Sequence, residues 1–154
     1  MTVTNPYEEL ALVLDTIPNG YPAVEDGTHL RVLEWIFTPE EAELCRKLKL
    51  KAETAETIAI RLERPPDEIE TLLETMHSKG QIRAWMSKNK GARIFGLMPF
   101  AVGIYEEQLD RMDEEFAKLL EGYFPPALPY LQLCYTLGCT YFSTIICDLV
   151  GWCP

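Results

Sequence analysis

The chain is 154 residues long, 47% of them hydrophobic and 25% charged, with a formal net charge of −10. That length suits about one domain with a core that needs no staples, and the acidity excludes general attraction to phosphate backbones or anionic lipid unless the few cations are gathered in one place. The opening stretch MTVTNPYEELALVLDT has no basic start, and Glu8 and Glu9 interrupt the place of an apolar signal core, so a cytoplasmic protein with reduced thiols is expected.

Asn5-Pro6-Tyr7-Glu8 supplies a capping side chain, a proline for the first helical position and an early glutamate. A helix over 6–16 is predicted from it, ended by the turn Ile17-Pro18-Asn19-Gly20. A second helix is predicted over 28–36, with Leu30, Leu33, Ile36 and Phe37 on one side. Thr38-Pro39-Glu40-Glu41 repeats the start signal and opens a helix running to about Leu50, and Thr54 caps a short one whose inward side is Ile58, Ala59 and Leu62. Pro65-Pro66-Asp67-Glu68 starts the next, with acids favourably placed in its first turn. Its Ile69, Leu72, Leu73 and Met76 form a half-buried helical stripe, and Gly80 ends it.

The period then changes from helical to alternating. Ile82, Ala84 and Met86 alternate with Arg83 and Trp85, and Ile94-Phe95-Gly96-Leu97 answers them after the turn Ser87-Lys88-Asn89-Lys90-Gly91, which reads as a β-hairpin. The order of helices and hairpin predicts a mainly α fold: a winged helix-turn-helix with a two-stranded β-hairpin wing over residues 1–100. A long amphipathic helix is expected over 101–124, because Val102, Tyr105, Leu109, Met112, Phe116, Leu119 and Tyr123 recur at steps of three and four, a heptad seam. Either that seam lies on its own domain or it is a contact for a partner. Glu106, Asp113 and Glu115 flank it, so a parallel self-pair would repel and a different surface fits better.

A winged helix that reads DNA places its third helix in the major groove and its wing on the backbone. Here the solvent face of that helix carries Asp67, Glu68, Glu70, Thr71, Glu74 and Thr75, with Lys79 as its single base at the far end. Arg83, Lys88, Lys90 and Arg93 in the hairpin are the candidate nucleic-acid contacts, accompanied by Trp85. They are too few to outweigh the acidic helix beside them, so DNA binding is the lesser alternative and protein contact the main reading. No catalytic constellation is found. His29 and His77 have no partner at motif spacing, Glu40, Glu41 and Glu43 read as helix-start charges, and Cys45 reads as a small buried side chain. A non-enzymatic protein is expected.

Three stretches, IPNGYP (17–22), FTPEEAELCRKLKLKAETAETIAIRL (37–62) and LMPFAVGIYEEQLDRMDEEFAKLLEGYF (97–124), together resemble the amino-terminal winged-helix region of bacterial and archaeal ferredoxin-type proteins that carry two 4Fe–4S clusters in a carboxy-terminal half. The resemblance covers about residues 7–124, and PF-x-VGIYE-x-Q, from Pro99 to Gln108, is its most specific part. It implies a docking or regulatory module of an electron-transfer protein, acting on a protein partner or on its own ferredoxin half. The implied clusters are held by C-x-x-C-x-x-C-x-x-x-C-P runs. From Cys134 onward the spacing is C-x4-C-x7-C-x5-C, which matches no such run, so no cluster ligand is carried over and no cofactor is expected in this chain.

Residues 125–154 hold a single charge, Asp148, and four of the five cysteines, Cys134, Cys139, Cys147 and Cys153. As a metal site they offer enough thiols, but only Cys134 and Cys139 approach knuckle spacing. A disulfide set would need an oxidising compartment. A membrane anchor within residues 128–152 would use the charge-free span from Gly122 to Cys147, which Pro125, Pro126 and Pro129 interrupt and no lysine or arginine flanks. Loss of charge, loss of capping signals and the end of the resemblance coincide near Pro125, which favours a non-native continuation of the chain, through a frameshift or a truncated reading.

Overall fold

The helix-start signals act where the sequence places them. In the computed structural model, which describes residues 4–130, helix α1 (Pro6–Thr16) begins with the Asn5 side chain accepting the Tyr7 N–H at 3.0 Å. Helix α2 (Thr28–Ile36) follows Gly27, which turns the chain at a φ of +75°, and the Asp26 carboxylate accepts the Thr28 N–H at 2.9 Å. Helix α3 (Pro39–Cys45) has a complete capping box between Thr38 and Glu41. Strand β1 (Glu53–Thr54) leads straight into α4 (Ala55–Leu62), capped by the Thr54 hydroxyl. Helix α5 (Pro66–Ser78), strand β2 (Arg83–Ser87) and strand β3 (Ala92–Gly96) complete this part.

The described residues are mainly helical, with one small antiparallel sheet of order β1-β3-β2 among them. Trp85 faces Ile94 across the hairpin, and Thr54 faces Ile94 from the other side. The third strand also explains why α3 is shorter than expected. The helix stops at Cys45 instead of near Leu50, the chain turns through Lys47 and Leu48 with 3.0 Å bonds back to Leu44 and Cys45, and the Leu97 N–H donates to the Lys49 carbonyl at 2.9 Å. Pairing with β3 needs an extended chain at Glu53, and this long-range contact outweighs local helix preference.

The continuous helix expected over 101–124 is not present. A π-type turn (Phe100–Ile104), a short helix α6 (Tyr105–Glu107) and a 3-10 turn (Leu109–Arg111) precede a separate helix α7 (Glu114–Ala127). Two local causes break it. Val102 adopts a left-handed φ of +61° before α6, and the Asp113 carboxylate caps α7 by accepting the Phe116 N–H at 2.8 Å. Helix α7 also runs through Pro125 and Pro126, where the sequence predicts a boundary. Glu121 and Gly122, whose carbonyls lose their helical donors there, lie on the exposed side with the two prolines, which is where prolines inside a helix are tolerated best.

One core runs through all of this. Leu10 and Leu14 of α1, Val32, Leu33 and Ile36 of α2, Ile69 and Leu73 of α5, and Phe116, Leu120 and Tyr123 of α7 belong to the same buried cluster. Residues 99–127 therefore continue the core of the preceding elements. Aromatic contacts tie the two parts: Tyr21 lies 4.6 Å from Phe100 and 5.1 Å from Tyr123, centroid to centroid, and within the second part Tyr105 lies 5.3 Å from Phe124. Among the described residues no helix is long and apolar enough to cross a membrane.

Candidate functional site

The hairpin and the outer face of α5 form adjacent surfaces of opposite charge. On α5, Asp67, Glu68, Glu70, Thr71 and Thr75 are exposed. The hydroxyls of Thr71 and Thr75 donate to their own helix, at Asp67 and Thr71 carbonyls (2.8 and 2.9 Å), so they are engaged internally. Glu68 pairs with Arg64, which also reaches Glu40 at 3.1 Å. What remains on this face is carboxylate.

The four hairpin cations divide into two kinds. The Arg93 Nε lies 2.5 Å from the Glu74 carboxylate of α5, a close ion pair without good hydrogen-bond alignment, and its guanidinium lies 5.9 Å from the Phe95 ring. Arg83 donates to the Leu50 carbonyl and lies 5.1 Å from the Trp85 ring. Lys88 and Lys90 are exposed in the turn and have no ion-pair partner among the described residues. Two of the four candidate contacts are thus held by the protein's own groups. Trp85 (41% exposed) and Met86 (61%) stand out beside them on the same strand.

The far end of α5 has a role that charge counting along the sequence misses. Glu41 is buried, and its carboxylate receives the Lys79 ammonium at 2.5 Å, the Gln81 side-chain amide at 2.9 Å and the Thr38 N–H at 2.9 Å. Burial pushes its pKa up, but the hydrogen bonds from Lys79, Thr38 and Gln81 outweigh that and hold it below the usual carboxylate value. Gln81, fully buried, also donates to the Ile36 carbonyl at 2.7 Å. Lys79 is therefore a structural cation. The sequence carried half of this signal, in the Thr38–Glu41 capping box. The other half lies about forty residues away and has no local signature.

The segment Pro99 to Gln108 is built as a second junction. Glu106 accepts the N–H groups of Val102 and Gly103 at 2.9 and 2.6 Å, which holds Val102 in its left-handed turn. The Asn19 side chain donates to the Ala101 carbonyl at 2.9 Å. Gln108, fully buried, donates to the carbonyls of Lys79, Gly80 and Ile104 (3.1, 3.2 and 3.1 Å) while its oxygen accepts from Arg111 at 2.7 Å. Gly80 sits at a φ of +70°, and a Cβ there would run into Glu107. The residues of PF-x-VGIYE-x-Q therefore serve packing, capping and clamping, and two of the three stretches that carry the resemblance, 17–22 and 97–124, meet here.

The seam residues do not share one stripe. Tyr105 and Phe116 are buried in the common core, Met112 and Leu119 are half-buried, and Val102 and Leu109 are exposed at 50% and 39%. Trp35, which the sequence did not single out, stacks on Phe116 at 4.0 Å and lies 5.2 Å from the Arg111 guanidinium, so it covers the α2–α7 contact. Cys134, Cys139, Cys147 and Cys153 lie outside the described residues, as does most of the anchor span 128–152.

Among the described residues, the other reactive groups are buried or hydrogen-bonded. Burial, and after it the charge of Glu41, raises the Cys45 thiol far above its ordinary range. The His29 ring accepts the Val24 N–H at 3.2 Å, and burial lowers its pKa. His77 pairs with the Ile82 carbonyl at 3.2 Å. Burial likewise pushes Tyr105 up to about 12. Among the described residues no group of three or more His, Cys, Asp or Glu side chains is placed to hold a metal ion. In comparisons with known proteins, no family model, no curated protein and no solved structure matches the chain.

Proposed function

We propose that residues 4–130 are a winged-helix module that binds protein rather than nucleic acid and carries no catalysis of its own, serving a 4Fe–4S ferredoxin-type electron-transfer protein. The order α3, β1, α4, α5, β2, β3, with β1 added to the hairpin, supports the winged-helix part. The observation that carries the protein-contact part is the carboxylate face of α5. The helix that would have to enter a major groove presents Asp67, Glu68 and Glu70, and its one strong cation, Lys79, is bound to buried Glu41. Carboxylates directed at phosphates oppose the counterion release on which affinity for DNA depends. A gel-shift titration with duplex DNA at physiological salt tests this. No retardation is expected, and tight binding that weakens when Arg83, Lys88 and Lys90 are neutralised would overturn it.

Exposed Lys88 and Lys90 beside Trp85 favour a second reading, a DNA-binding regulator that uses the hairpin alone. The same titration decides between them. The electron-transfer part rests on the resemblance over about residues 7–124. Sequencing the gene through and beyond codon 125 in all three frames tests it: a frame continuing into C-x-x-C-x-x-C-x-x-x-C-P runs is expected. Stoichiometric zinc in the purified 154-residue chain, lost on replacing Cys134 and Cys139, would instead favour a thiol metal site in the tail.

A further inference from the structure

We infer that the free edge of β2 is a strand-addition site for an extended, acidic segment of a protein partner, an inference that rests on the protein-contact reading above. Among the described residues, the sheet order β1-β3-β2 leaves β2 at the edge. An edge strand presents alternate N–H and C=O groups away from its neighbour. Among the described residues, the only backbone hydrogen bond reaching Arg83–Ser87 from outside the hairpin ladder comes from the Gly91 N–H, which closes the turn at the Ser87 carbonyl.

Edge strands are commonly blunted by a proline, an inward charge, a bulge or a covering element. The sequence of β2, RAWMS, has no proline, and its register with β3 is unbroken from Arg83–Gly96 to Ser87–Ala92. Its exposed middle residues are apolar instead of charged. Trp85 lies on the face of Ile94, and Met86 lies on the opposite face with Arg93, so an added strand would meet one large apolar side chain on each side of the sheet.

Charge selects the occupant. Lys88 and Lys90, without ion-pair partners among the described residues, stand beyond one end of β2. Arg83 stands at the other with its charge unpaired among those residues but its guanidinium donating to the Leu50 carbonyl, and residues 81–100 contain no acid in a chain of net charge −10. A segment with carboxylates at both ends and apolar residues between them matches this pattern. The repeat of N–H and C=O groups along the edge is complementary to another peptide backbone, which a nucleic acid lacks.

The test uses the full chain, labelled with nitrogen-15, and the probe peptide acetyl-DEVTVED-amide. At a peptide concentration about ten times the dissociation constant, hydrogen exchange at alternate β2 amides is expected to slow about tenfold. The same peptide N-methylated at alternate backbone nitrogens, which keeps the charge and loses the edge bonds, is expected not to protect them. The variant K88E/K90E should fold unchanged and bind the probe about tenfold more weakly. Equal binding of the methylated peptide, or protection elsewhere than β2, would overturn strand addition while leaving a protein-contact module in place. Failure of the peptide together with hairpin protection by an oligothymidylate would overturn both. Failure of both probes would overturn strand addition alone.

Discussion

The segments 99–108 and 83–93 adjoin the same helix, yet they are opposite in character. The first directs polar groups onto the chain's own backbone and side chains, Glu106 onto two backbone N–H groups, Gln108 onto the Gly80 turn and the Ala101 carbonyl onto Asn19, and leaves Glu107 exposed. The second reads as an ordinary hairpin, and it keeps an unpaired edge, two exposed apolar side chains and two lysines without partners among the described residues. The first segment is a junction whose polar groups serve the chain's own fold, and the surface that the proposed partner would use lies in the second.

Substitutions should separate the two, and the largest effect is expected at Gly80. Its φ of +70° and the proximity of Glu107 mean that Gly80→Ala combines backbone strain with a clash. A loss of about 3 kcal/mol is expected in urea unfolding. The hairpin-edge behaviour of whatever remains folded should be unaltered.

Next comes Glu41→Ala, which leaves Lys79 and Gln81 without their carboxylate and removes half of a capping box. About 2–3 kcal/mol should be lost at neutral pH. Because the folded pKa of Glu41 is lowered, its stabilisation is present above the unfolded carboxylate value, about 4.3, and fades as pH falls through the folded value. The gap between wild type and variant should therefore narrow in acid. A gap independent of pH would remove the carboxylate's charge from the explanation.

Val102→Gly has the opposite sign. A β-branched residue in the left-handed region is strained, and glycine relieves that at some cost in unfolded-chain entropy, so a gain of about 0.5–1 kcal/mol in thermal or urea unfolding is expected. A loss would mean that the exposed valine side chain is held by packing. Last, K88E/K90E should change stability by less than about 0.5 kcal/mol, since both lysines are exposed, while it alters binding.

Much of the fold was readable because its signals are local. Asn5, Thr38 and Thr54 cap helices within three residues of themselves, and α1 and α2 have the ends their sequences announce. Strand β1 was not readable, since two residues show no periodicity and only pairing with Phe95 and Ile94 makes them a strand. The break before α7 did have a signal. Asp113-Glu114-Glu115 ahead of Phe116 is a helix start, and the three-four spacing of Leu109, Met112 and Phe116 runs across it and conceals it. At the candidate site, the acidity of α5 was legible from sequence. The capture of Arg93 by Glu74 and of Lys79 by Glu41 depends on tertiary placement that no spacing rule contains.

The measurement that bears most directly on the choice of protein over nucleic acid is the salt dependence of duplex-DNA binding, followed by fluorescence anisotropy. With Lys88 and Lys90 as the unengaged hairpin cations, a plot of log K against log salt should be no steeper than about −2, with a dissociation constant weaker than about 100 µM at physiological salt. A slope of about −4 or steeper with nanomolar binding would mean that Arg83 and Arg93 leave their internal partners for phosphate, and that the hairpin is a nucleic-acid contact after all.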